Sequence, residues 1–157
     1  MHSHESHGRT FITTPGLLTA TGGVTTHDTT ATINYYLNGV MRQKTAITTG
    51  ATPTTDILTG LPITLTANKA CVVVWLLDSA GTVRVAAGPV VDWNGTSFNV
   101  PPPFPDIDHT VYCPFATQML KASSAAGTIT FGSSNWNATG FTNSILNGGL
   151  PARPRTV

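Results

Sequence analysis

The side chains able to do acid–base, nucleophilic or metal chemistry in this chain are few and fall into separate places. Near the start, His2, His4 and His7 surround Glu5. Imidazole nitrogens with a carboxylate are a donor set for a divalent metal, but this spacing fits no closed coordination sphere. Further on, Asp106-Ile-Asp108-His109 is the densest titratable cluster and could pair an acid with a base. In an extended chain its two carboxylates point one way and its imidazole the other. Beside a proline-rich stretch, such aspartates read as turn formers. Cys71 lies in an apolar run and reads as a buried free thiol. Cys113 precedes Pro114 without a catalytic signature, and pairing of the two thiols depends on a distance that sequence does not carry. There is no G-x-S-x-G nucleophile elbow and no phosphate-cradling glycine loop. The expectation is a non-enzyme with no catalytic residue, no metal and no cofactor.

Two tryptophans carry a different chemistry. Trp93 stands beside Asn94, and Trp136 lies between Asn135 and Asn137. A ring flanked by amides suits a sugar, although tryptophan also anchors protein interfaces. Asn94-Gly-Thr96 and Asn137-Ala-Thr139 match the glycosylation sequon but read as turn chemistry without a secretion signal.

These groups sit in a neutral, turn-rich background. The 157 residues carry 10% charged side chains and a net charge of +1, against roughly 25% charged in an average domain. Threonine occurs 28 times, and glycine with proline 26 times. No basic footprint for nucleic acid is present, and a 40% apolar content opposes disorder. The longest apolar run, Ala70–Leu77, is far shorter than the ~20 residues of a membrane helix. Met1–His7 lacks the apolar segment of a secretory signal.

Period-two alternation predicts the positioning elements. Ala31, Ile33, Tyr35 and Leu37 share one face of Thr29–Leu37, and Asn38-Gly39 is a type I′ turn signal into Val40–Thr48. A two-residue turn sets Arg42 opposite Tyr35 and Lys44 opposite Ile33, which mixes charge into the apolar face and suggests a bulge or an exposed hairpin. Ala70–Leu77 is apolar on both faces, a central strand covered on both sides. A second sheet is expected over one face, and a neighbouring subunit or terminal arm over part of the other. Ile63–Ala67, Thr82–Ala87 and Gly127–Gly132 read as further strands, and Val90–Val100 as a hairpin turning at Asn94-Gly95. Pro101–Pro105 reads as stiff and polyproline-like. Pro114–Ser123, with proline at its first position, is the one helix candidate. The expected fold is all-β, an antiparallel β-sandwich or jelly roll with one short helix. Residues 1–28 form an N-terminal arm, 29–149 the sandwich domain, and 150–157 a C-terminal tail.

The hairpin Ile33-Asn-Tyr-Tyr-Leu-Asn-Gly-Val40, the strand Val72-Val-Val-Trp-Leu-Leu77 and their Thr/Gly-rich flanks resemble small β-sandwich virion proteins of tailed bacteriophages, above all capsid decoration or cement proteins. That resemblance implies a homo-oligomer, a trimer by preference, made in the host cytoplasm and bound outside the virion shell. Its partner is then the major capsid protein, with no nucleic acid or membrane involved. Candidate interface residues are Arg9, Phe11, Ile12, Leu17 and Leu18 of the arm, with Trp136 and Phe141 of the Asn/Ser/Gly-rich segment. The alternative is a glycan-binding or tail/fibre-associated β module.

Overall fold

The computed structural model describes residues 9–150. Along them run β1 (Phe11–Thr14), β2 (Leu18–Thr19), β3 (Thr26–Thr29), β4 (Ile33–Leu37), β5 (Val40–Lys44), β6 (Gly50–Ala51) and β7 (Thr64–Leu65). Then follow β8 (Lys69–Leu77), β9 (Val83–Ala87), β10 (Val91–Asp92), β11 (Cys113–Ala122), β12 (Ile129–Thr130) and β13 (Phe141–Asn147). All ladders are antiparallel, and the sheets pack as a β-sandwich.

The long strand β8 is central because its β-branched run offers apolar side chains to both faces. It pairs with β11 on one side and with β9 and β10 on the other, and β11 pairs in turn with β13. Cys71, Val73, Trp75 and Leu77 point into the main core with Leu18, Ile33, Tyr35, Leu37, Phe131 and Trp136. Val72, Val74 and Leu76 point the other way, against Ala86, Ile107 and Met119, with Phe98, Phe104 and Tyr112 packed alongside.

The second face is therefore covered from within. The proline-rich connection between β10 and β11 lies over it, and Leu150, the first residue of the expected C-terminal tail, packs there as well. Gly88 makes the close approach possible: a Cβ there would come within 2.1 Å of the Pro103 carbonyl oxygen.

The segment 114–123, expected to be helical, is a strand. Its residues are buried on both faces between β8 and β13, and two ladders of hydrogen bonds outweigh the helix-start signal of Pro114. The proline is tolerated because the β8–β11 register shifts between Pro114 and Ala116, a bulge where one ladder bond is already interrupted. No helix occurs among the described residues.

The described part of the expected N-terminal arm also belongs to the domain. β1 pairs with β4 and β2 with β3, and Leu18 and Ala20 are core residues. Hydroxyl and amide side chains do the stitching that apolar periodicity did not announce. Thr10 Oγ1 donates to the His109 carbonyl at 2.6 Å and accepts from Asn38 N at 3.0 Å. The Asn147 side-chain amide takes the Leu18 N–H at 2.6 Å, extending the edge of β13 to β2. The remainder of the two expected arms, residues 1–8 and 151–157, lies outside the described residues.

The β4–β5 hairpin has the predicted register without a bulge, Tyr35 facing Arg42 and Ile33 facing Lys44. Asn38 and Gly39 supply the two positive φ angles, 51° and 80°. Charge on the inward side is accommodated by reach: Arg42 Nη1 donates to the Ser79 carbonyl at 2.7 Å, and Tyr35 Oη to that of Asp78 at 2.9 Å. These bonds dock the hairpin on the β8–β9 turn.

Candidate functional site

The groups able to do chemistry are mostly consumed by structure. Cys71 and Cys113 are free, and burial pushes each thiol up to about 12. Neither is a thiolate near neutral pH, so neither is an activated nucleophile. Asp108 Oδ1 accepts from Thr110 N at 2.9 Å and Thr110 Oγ1 at 2.6 Å, closing a turn. Among the described residues no three His, Cys, Asp or Glu side chains gather as a metal site.

Two buried polar side chains that sequence reading missed lie beside Trp75. Gln118, fully buried in β11, accepts from Trp75 Nε1 at 2.9 Å and donates to Asn143 Oδ1 at 3.0 Å. The relay ties β8, β11 and β13 together and leaves the indole N–H satisfied. His27, also buried, has its ring centroid 4.9 Å from that of Trp75. Desolvation lowers its pKa to about 4, with Asp28 opposing and Lys44 assisting. Both residues serve the core.

Of the seven candidate interface residues, the structure leaves three on the surface. Arg9 is exposed, its carbonyl accepting from Gly39 N at 2.8 Å and its guanidinium set against that turn. Phe11 and Leu17 are 45% and 53% exposed. Ile12 is half-buried against the core, while Leu18, Trp136 and Phe141 are inside it. Trp136 Nε1 donates to the Thr26 carbonyl at 2.7 Å, so its ring and its polar edge are both committed.

What the fold presents outward is one face of the β1–β4–β5 sheet. Phe11, Tyr36 and Met41 are consecutive partners across the three strands, forming a row on the side away from the core. Phe11 stacks on Tyr36, and Met41 is 63% exposed. The neighbouring row is Thr14, Asn34 and Gln43, with Gln43 Nε2 donating to Asn34 Oδ1 at 2.9 Å. No charged side chain belongs to either row. β5, paired only with β4, ends the sheet. Its Met41 was not legible as a site residue, although alternation with Arg42 and Lys44 could have placed it outward.

An apolar groove of about 710 Å³ lies elsewhere, flanked by Leu58, Leu61, Val90 and Phe104. Its one buried carboxylate, Asp56, is taken up by Leu58 N, Ala87 N and Thr59 Oγ1. The chain matches no family model, no curated protein and no solved structure in the comparisons made.

Proposed function

We propose that this chain is a non-enzymatic structural protein of a virion, which binds outside the capsid shell and stabilises it by bridging subunits. The observation that carries the reading is the flat, uncharged row Phe11–Tyr36–Met41 beside the amide–hydroxyl row Thr14–Asn34–Gln43. An aromatic and apolar strip with a polar border is the anatomy of a protein-docking patch. Its supporting strands are held by the Asn38-Gly39 turn, the Thr10 hydroxyl and the Arg42 contact, so docking costs little ordering entropy.

In this role Phe11, Arg9 and Leu17 are the interface residues retained from sequence, joined by Tyr36 and Met41. The partner is the major capsid protein, and a homo-oligomer, a trimer by preference, presents several copies of the patch at once. Repetition raises avidity without further contacts. Electron imaging of capsid shells mixed with the purified protein tests the role: added density across subunit joints supports it, and bare shells at saturating protein contradict it.

A further inference from the structure

We propose that the pocket around Trp93 binds the uncharged pyranose rings of a glycan, a site separate from the docking face. The pocket has a volume of about 410 Å³ and is lined by Asn68, Asp92, Trp93, Asn94 and Asn99. It is shallow, and its lining combines one half-exposed indole with three amides and a carboxylate. Sugars ask for this combination: a ring face that accepts axial C–H groups, and amides that both donate and accept toward neighbouring hydroxyls.

The platform is built before any ligand arrives. Trp93 N donates to the Asn68 carbonyl at 3.0 Å, and Trp93 bridges to Phe98 across the turn. Asn94 Oδ1 closes that turn by accepting from Thr96 N at 2.9 Å and Ser97 N at 2.8 Å. Lys121 Nζ lies 5.4 Å from the Trp93 ring centroid and steadies the indole. The side chains of Asn68 and Asn99, by contrast, are exposed to solvent. Asn68 holds φ +61°, in the left-handed region. Asp92 is paired with Lys69, so the lining offers dipoles rather than an uncompensated carboxylate.

The protein supplies its own reporter, because Trp75 and Trp136 are 0% and 3% exposed and Trp93 is the indole that a soluble ligand can reach. The full chain is titrated with neutral hexose and N-acetylhexosamine oligomers, and with a uronic-acid oligomer, following indole emission and saturation transfer to the sugar by NMR. The expected result is saturable binding of a neutral oligomer at roughly millimolar strength or tighter. Asn68→Gly, which keeps the positive φ, and Asn99→Ala should each weaken it about tenfold. Trp93→Leu should abolish saturation transfer while the melting temperature stays close to that of the parent. The proposal is overturned if no neutral oligomer saturates, if only the uronic acid binds, or if binding survives all three substitutions unchanged.

Discussion

Phe11 lies flat on Tyr36, with ring centroids 4.8 Å apart and planes 15° from parallel, on the solvent side of a sheet whose other side faces the core. Stacking of two rings contributes about 0.5–1.5 kcal/mol beyond the area it buries. Full burial of a Phe or Met side chain is worth about 1.5–3 kcal/mol. With Phe11 45% and Met41 63% exposed, about half of that stabilisation is unrealised in the single chain and becomes available when a second protein covers the row. This inequality favours the outer sheet face, rather than the covered face of β8, as the proposed docking surface.

Gly88→Ala should unseat the proline-rich cover. The added methyl meets the Pro103 carbonyl oxygen, a backbone atom that cannot swing aside as a side-chain tip can. A loss of about 2–4 kcal/mol is expected from displacement of Phe104 and Ile107 over Val72, Val74 and Leu76. Urea unfolding measures the loss, and increased binding of a hydrophobic dye to the folded variant reports the uncovered face. Unchanged stability and dye binding would mean that the cover is not held there.

Gln118→Leu keeps most of the side-chain volume but leaves the Trp75 indole N–H buried without an acceptor. The expected cost is about 1–3 kcal/mol, read from the urea midpoint. In the same variant the hydrogen at Trp75 Nε1 should exchange faster with solvent. A neutral substitution would show that the relay through Asn143 contributes nothing net.

His27 should make stability depend on pH. Its folded pKa, about 4, lies below the ordinary 6.5 because burial penalises the imidazolium. The unfolded chain therefore takes up the proton first. The stabilisation is complete above the unfolded pKa and declines as pH falls from 6.5 toward 4. On the order of 2 kcal/mol should be lost between about pH 7 and pH 5. His27→Gln should remove most of that slope, which urea titrations at the two pH values measure directly.

How far the fold was legible depended on whether the deciding contacts were local. The β4–β5 hairpin was, because Asn38-Gly39 and the alternation of Ile33, Tyr35 and Leu37 act within a few residues. β8 was legible from its apolar run alone. β11 was not: burial on both faces erases the period that separates strand from helix, and Pro114 signals a helix start as readily as it marks a bulge. β13 was missed because Thr142, Asn143 and Ser144 read as loop, while its strand character comes from pairing with β11. The proposed docking row overlaps the sequence candidates at one residue. Phe11 was singled out, but its partners in the row, Tyr36 and Met41, are set by cross-strand register, and Trp136 and Phe141 proved to be core. The Trp93–Asn94 pair was visible, whereas Asn68 and Asn99 join it only through the fold.

The central claim is tested most directly by co-sedimentation of the protein with capsid shells, comparing the parent chain with the double variant Phe11→Ser/Met41→Ser. Phe11 is 45% and Met41 63% exposed, so the free domain should keep its stability within about 1 kcal/mol. Shell affinity should fall about 10- to 100-fold, the equivalent of losing about 1.5–3 kcal/mol of contact burial. Because neither row of the face carries charge and Arg9 adds a single cation to the proposed interface, the parent's affinity should fall only modestly between low and high salt. Equal binding by parent and double variant, or parent binding that disappears as salt rises, would contradict docking through this face.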